Sequence, residues 1–424
     1  MTEQQTQEHR TQSDSNIILR RHRAHTDITL IVLAFMLAAF GVVAVTVATY
    51  STGSDPEASL LSHVVESSYA MRQCLFLLIA PLVVGVIAVF PYDTLRRRSG
   101  LIYIATFILL AVVTVFNRAQ GVKAWLDVIW GYTIQPSEFA KLAMILVLAN
   151  HLSRSDHPMA TGREKVQIIL LVLIPGGVIL LEGETGSLLV IVFLTAVMMY
   201  FANVDMKFLL ILAAVALLLL LAVYGIMIAS GSDDYRLARI ASFIDPEMYS
   251  STDAYQILQS QKAIGSGGLW GNGMFVDGSL AQLNYVPADW TDFIYATIGE
   301  TWGFAGCVAV LIMYVLILLR MVWLAFNTKD RFGRLVICGV IGMFLFHVLE
   351  NIAMTIGLMP ITGIPLPFLS YGGSNMVTNM AGIGLVENVT RNRSLSAAVP
   401  APQTMYNPYR VSVQPVYRMS RHRG

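Results

Sequence analysis

Ile28-Thr-Leu-Ile-Val-Leu-Ala-Phe-Met-Leu-Ala-Ala-Phe-Gly-Val-Val-Ala-Val-Thr-Val-Ala-Thr-Tyr50 runs 23 residues without a charge. A helix crossing about 30 Å of hydrocarbon needs about 20 apolar residues, so the stretch predicts a membrane span. It is too long for a signal-peptide core and more such stretches follow, so it reads as a retained signal anchor. Nine further stretches read the same way: 74–90, 101–116, 139–152, 166–181, 187–201, 208–229, 303–326, 335–355 and 374–389. Composition agrees. Hydrophobic residues make up 55% of the 424 and charged residues 13%, against about 25% charged in a soluble domain, and mean hydropathy is +0.63. So few charges could not cover the surface of a soluble globule of this size. The expectation is an all-α polytopic membrane protein of ten transmembrane helices. A net charge of +1 gives no basic field for nucleic acid. Cys74, Cys307 and Cys338 lie in apolar runs without metal-ligand spacing, which disfavours a zinc site or a disulfide scaffold.

The basic residues fix the orientation. With a cytoplasmic N-terminus, 20 Lys and Arg fall in inside segments and six outside, with Lys141 and Arg320 inside spans. The split alternates loop by loop, so both termini are expected in the cytoplasm. Residues 1–26 and 391–424 are polar or rich in Arg, Pro and Ser and read as disordered tails around a membrane domain at 27–390. No internal repeat is visible, which disfavours the repeat-built transporters.

The large extracellular loop, 230–292 between spans seven and eight, carries eight carboxylates against three bases, and loops of that length usually serve function. Residues 255–264 look helical and suit the interface. The turn Gly265-Ser-Gly-Gly-Leu-Trp-Gly-Asn-Gly273 lacks the third glycine and preceding strand of a dinucleotide site, and its glycines suit tight turns at the membrane surface. Asp292 stands where this loop meets an apolar helix. It reads equally as an N-cap and as a carboxylate held partly dry at the membrane–water boundary for proton abstraction. Glu300, two turns on, reads as a second cavity carboxylate or a polar residue at a helix interface.

Before the fourth span, Gln135-Pro-Ser-Glu138 looks like a helix start, and Glu138 and Lys141 share a face at i, i+3. A lysine at mid-membrane costs about 2.5–3.5 kcal/mol, so Lys141 needs a partner or a wet cavity. Trp125 and Trp130 also suit interfacial anchoring. His347 and Glu350 read as a hydrogen-bonded i, i+3 pair. Glu182 and Glu184 mark an outside helix end that suits the same vestibule. Residues 359–374 hold three prolines and three glycines and no charge, which suits a re-entrant element.

Together Gly121–Trp125, Ile134-Gln-Pro-Ser-Glu-Phe-Ala-Lys-Leu142, Glu184-Thr-Gly186, residues 259–273, Thr291-Asp-Phe-Ile294 with Gly299-Glu300, and Gly363-Ile-Pro-Leu-Pro-Phe-Leu-Ser-Tyr-Gly-Gly-Ser374 resemble, in order, the SEDS family (shape, elongation, division and sporulation). The resemblance spans roughly residues 28–390. It implies a peptidoglycan glycosyltransferase that polymerises lipid II at the outer face of the bacterial cytoplasmic (inner) membrane. It implies Asp292 as the essential acid. Lys123, Trp125, Gln135, Glu138, Lys141, Glu300, Ser370, Tyr371, Gly372 and Gly373 would line or bind at the substrate cavity. It also implies a divalent cation (Mg or Mn), with no protein metal ligands assigned, and a class B penicillin-binding transpeptidase as membrane partner. Ala288, Asp289 and Trp290 stand where many relatives carry Glu and His, and Lys123-Ala124 where Arg is common. Gln261-Lys-Ala-Ile-Gly-Ser-Gly-Gly-Leu269 resembles the elongation type, RodA, more than the division type, FtsW, or a sporulation polymerase. The competing readings are a lipid II flippase and a scaffold that recruits the transpeptidase.

Overall fold

A computed structural model of the chain describes residues 26–50, 58–118, 124–129, 132–155, 158–229, 243, 253–280, 283 and 285–396. The expectations for Lys123, Trp130 and most of the terminal tails fall outside those residues, but residues 391–396, read as the start of the disordered C-terminal tail, are helical, because backbone hydrogen bonding continues past the last apolar residue of the span. The elements are α1 Ile28–Ala48, α2 Leu60–Glu66, α3 Ser68–Val89, α4 Tyr92–Arg118, β1 Leu126–Ile129, β2 Tyr132–Ile134, α5 Pro136–Leu152, α6 Gly162–Glu182, α7 Thr185–Phe201, α8 Met206–Ala229, α9 Asp253–Ser266, α10 Ile294–Phe326, α11 Arg331–Thr355 and α12 Gly373–Ser396. Each of the ten apolar stretches falls on its own helix. Among the described residues six helices (α1, α3, α4, α6, α10 and α11) are long and apolar enough to cross a membrane. Helices α5 and α7 have 17 residues each. The protein is an all-α polytopic membrane protein, with one short antiparallel hairpin, β1–β2, pairing Leu126 with Ile134.

Local chemistry sets the helix ends. Asp27 caps α1 by accepting from the Leu30 amide at 3.0 Å, and the Arg320 guanidinium of α10 grips the same carboxylate at 2.7–3.1 Å. Thr161 and Glu164 form a capping box on α6, which ends at left-handed Gly183. Helix α4 begins nine residues before the stretch read as its span and includes Arg96–Arg98. Hydropathy marks only the part in lipid, while backbone hydrogen bonding continues where long basic side chains reach water.

Only 22% of the apolar windows of α3, α4 and α6 is buried, against 78% of that of α11. Helix α11 is therefore the central one, packed on α5, α7, α10 and α12, while the others keep an apolar side for lipid.

Two irregular segments position the site. The first is a break in α10 at Gly303 (φ 64°, ψ −161°): the helix begins at Ile294, just after Asp292, and the apolar span read as 303–326 is the part that follows the break. The glycine-rich turn after α9 docks its backbone there. The amides of Phe304 and Ala305 donate to Gly268 and Leu269 at 2.9 and 3.0 Å, and Asn272 and Gly273 donate to Glu300 and Thr301 at 2.9 and 3.1 Å. A Cβ at Gly271 would sit 2.1 Å from the Thr301 oxygen. The glycines thus serve backbone-to-backbone docking.

The second is the segment joining α11 to α12. Ile364, Leu366, Phe368, Leu369 and Ser370 are buried without forming a helix. Side chains from three helices take up its carbonyls: Asn351 donates to Ile364 at 2.8 Å, His347 to Pro365 at 3.1 Å, Tyr314 to Pro367, and Gln73 to Ser370 at 3.2 Å. Buried non-helical backbone must have its polar groups satisfied within the protein, and these side chains do so for this segment.

Candidate active site

A cavity of about 340 Å³ opens between the starts of α5, α7 and α10 and the α11–α12 segment. Pro136 opens α5 at its first turn, so Glu138 and Lys141 follow on one face. Lys141 Nζ donates to Glu138 Oε1 at 2.7 Å and meets His347 Nε2 at 3.0 Å, with all three side chains at most 2% exposed. The lysine therefore has the partner its burial requires. Glu184, at the α6–α7 turn, accepts from Gln135 Nε2 and Ser137 Oγ. Burial pushes this carboxyl up, only partly offset by those donors.

Asp292 lines the same cavity as the α5 cluster. The cap position of α10 is Phe293, so the N-cap reading of Asp292 is not realised. Its main chain is held from two sides. Asn351 Nδ2 donates to the Asp292 carbonyl at 2.7 Å, and Ser370 Oγ donates to that of Thr291 at 2.6 Å. A Cβ at Gly363 (φ 71°) would sit 3.4 Å from Asp292 Oδ2, so the re-entrant backbone passes beside the carboxylate.

Of the expected residues, Trp125, Gln135, Glu138, Lys141, Asp292, Tyr371 and Gly372 line the cavity, as do Glu182 and Glu184. Four expectations need correction. Glu300 is buried away from it, its Oε1 accepting from the Leu280 amide at 2.7 Å; Asp292 precedes the helix, so helical periodicity does not relate the two. Ser370 is fully buried behind the lining, and Gly373 abuts the Phe76 ring. His347 and Glu350 are not a pair: His347 turns to Lys141, while Glu350 accepts from Thr362. Gln73 was missed. It is fully buried on α3, and its Oε1 accepts from the Gly372 amide at 3.4 Å. Thr291, Thr362 and Asn375 also line the cavity without having been singled out. Three residues before Asp292, buried Asp289 is pushed well above the usual carboxylate range by desolvation and by the charge of Glu300.

Among the described residues no cluster of three or more His, Cys, Asp or Glu forms a ready metal site. Glu138 Oε2 and Glu182 Oε2, on two cavity-lining residues, are buried without hydrogen-bond partners. Magnesium-like cations are commonly held by one or two carboxylates plus substrate phosphates. The donor set fits that mode and not a closed protein cage.

The FtsW/RodA/SpoVE "Cell cycle protein" family model matches residues 27–395. Peptidoglycan glycosyltransferase MrdB of Escherichia coli (strain K12) is 31% identical over 316 residues, covering 74% of this chain and 84% of the relative. Stage V sporulation protein E of Bacillus subtilis (strain 168) is 33% identical over 376 residues, covering 86% and 97%. A chain solved in work on coordination of polymerization and crosslinking by a peptidoglycan synthase complex superposes with a TM-score of 0.70 at 28% identity, covering 87% of this chain and 98% of that one. Rod shape determining protein RodA of Thermus thermophilus superposes at 0.62 and 28% identity with the same coverage.

Proposed function

Because the chain belongs to the FtsW/RodA/SpoVE family, we propose that it is a peptidoglycan glycosyltransferase that polymerises lipid II, a disaccharide-pentapeptide on a polyprenyl diphosphate, into glycan strands. The observation that carries this reading is one cavity lined by both a carboxylate, Asp292, and a buried cation, Lys141. Ten spans with both termini cytoplasmic would place that cavity at the outer face of the bacterial inner membrane. The one-to-one match of apolar stretches to helices and the 20:6 split of basic residues support this topology.

In the reaction, the acceptor sugar hydroxyl attacks the anomeric carbon of a second lipid-linked sugar. The C–O bond to diphosphate breaks, and the diphosphate leaves with the bonding pair. Asp292 is the general base that takes the hydroxyl proton, a role worth about 10²–10⁴-fold. Lys141 stabilises the leaving diphosphate in a partly dry site, where such stabilisation is usually the largest contribution. A divalent cation arriving with the diphosphate, held in part by Glu138 and Glu182, would neutralise the same charge. Helix α10, lipid-exposed at Phe304, Ile312 and Leu319, and the neighbouring α11 would receive the single membrane helix of a class B penicillin-binding transpeptidase. The Gln261–Leu269 wording supports an elongation role of the RodA type.

The test is Asp292→Asn in purified, detergent-solubilised protein given labelled lipid II and a divalent cation. Polymerisation is expected to be abolished with folding intact. Retained polymerisation would remove Asp292 from the base role. With no second compartment present, a flippase would elongate nothing.

A further inference from the structure

Lys141 has a second partner that charge pairing does not require. Glu138 already supplies the counter-charge at 2.7 Å, yet Lys141 Nζ also meets His347 Nε2 at 3.0 Å from another helix. The opposite ring nitrogen settles the roles. His347 Nδ1 lies 3.1 Å from the Pro365 carbonyl, an acceptor only, so Nδ1 carries the hydrogen. Nε2 is then a lone pair facing the ammonium, and the imidazole is neutral. Glu138 and His347 occupy two of the three ammonium hydrogens and leave one for the cavity that Lys141 lines.

This contact also links Lys141 to the segment that passes Asp292. Pro365 lies two residues beyond Gly363, whose backbone passes beside Asp292 Oδ2. Asn351, one turn along α11 from His347, holds both the Ile364 and Asp292 carbonyls at 2.8 and 2.7 Å. The chain Lys141–His347–Pro365–Gly363–Asp292 therefore runs from cation to base through groups that are all buried or lining the cavity.

We propose that His347 is a positioning residue for glycosyl transfer: its Nε2, aimed by the Pro365 carbonyl, holds the Lys141 ammonium at a fixed place relative to Asp292, where the departing diphosphate is received. The proposal rests on the reading of Lys141 and Asp292 above, and its test separates the two. It predicts that the lysine-facing nitrogen matters for kcat, beyond any part the ring plays in packing.

Two polar variants of similar bulk divide the imidazole. His347→Gln places an acceptor near the Nε2 position, while His347→Asn keeps a donor near Nδ1 for Pro365 and falls short of Lys141. Each is purified in detergent, checked for monodispersity and melting temperature, and assayed for initial rates of lipid II polymerisation over a range of lipid II, beside Asp292→Asn. His347→Gln is expected to keep kcat within about threefold, and His347→Asn to lose about 10²-fold in kcat with little change in KM, the size of effect that a misplacement of about 1 Å produces. The reverse order would mean that the ring serves the Pro365 segment. Equal loss or equal retention in the two variants would mean a packing role or none. Each of these outcomes overturns the proposal. An active Asp292→Asn protein would instead overturn the reading beneath it, whatever the histidine variants do.

Discussion

Removing one member of the buried Glu138–Lys141 pair should be far more damaging than removing both. At 2.7 Å and an effective dielectric near 20, the Coulomb attraction is about 6 kcal/mol. Taking two ions out of water costs several kcal/mol each, so the pair is close to break-even as a source of stability. Lys141→Met leaves the Glu138 carboxylate 2% exposed with no counter-charge, a loss of about 3–5 kcal/mol. Glu138→Leu/Lys141→Met removes both charges and should recover most of that. A residue of about 1–3 kcal/mol should remain, because His347 Nε2 loses its donor. Cys307 and Cys338 are free and buried, so a thiol-reactive dye reports thermal unfolding of purified protein. The single variant should melt well below the native protein and the double variant between the two, with lipid II polymerisation lost in both. A double variant no more stable than Lys141→Met, or a single variant melting with the native protein, refutes the reasoning. Recovered stability without recovered activity would show that the pair is kept for chemistry.

Gln73→Leu should fold and insert, because α3 stays apolar. It strips the partners of the Ser370 carbonyl and Gly372 amide, and leaving such groups unsatisfied costs about 1–3 kcal/mol each; a lowered melting temperature with reduced kcat checks this. Gly303→Ala puts a side chain 2.4 Å from the Gly271 amide at φ 64°. It should lower stability by about 1–3 kcal/mol and expose the glycine-rich turn to proteolysis. Asp289 binds its proton more tightly folded than unfolded. Its contribution therefore weakens stability as pH rises from about 4, the unfolded value, through the raised folded one. Asp289→Asn should flatten that part of a melting-temperature profile against pH, and an unchanged profile would show that this carboxyl does not titrate in the range.

The spans were legible because lipid imposes a simple condition, about 20 apolar residues per crossing, and each such stretch became a helix. Pairs one turn apart were legible only when both side chains had no better partner elsewhere. Glu138 and Lys141 met as their spacing required. His347 and Glu350 had the same spacing, yet each found a partner on a different element. Periodicity says which residues share a face and nothing about what that face meets. Glu300 shows the converse: counting turns from Asp292 presumed a helix that had not yet begun.

What sequence could not yield was the support behind the site. The carboxylate position depends on Asn351 and Ser370, and the re-entrant turn on Gln73, which lies 297 residues before Ser370. A glutamine in an apolar helix resembles any tolerated polar residue until the segment it satisfies is packed against it. Buried non-helical backbone must have its amides and carbonyls answered, and here side chains from α3, α10 and α11 answer them. The same kind of bond that satisfies the buried irregular segment fixes the backbone on which Asp292 stands. Stability and geometry of the site therefore cannot be varied independently there, which is why a substitution at Gln73, outside the cavity lining, should reach the chemistry.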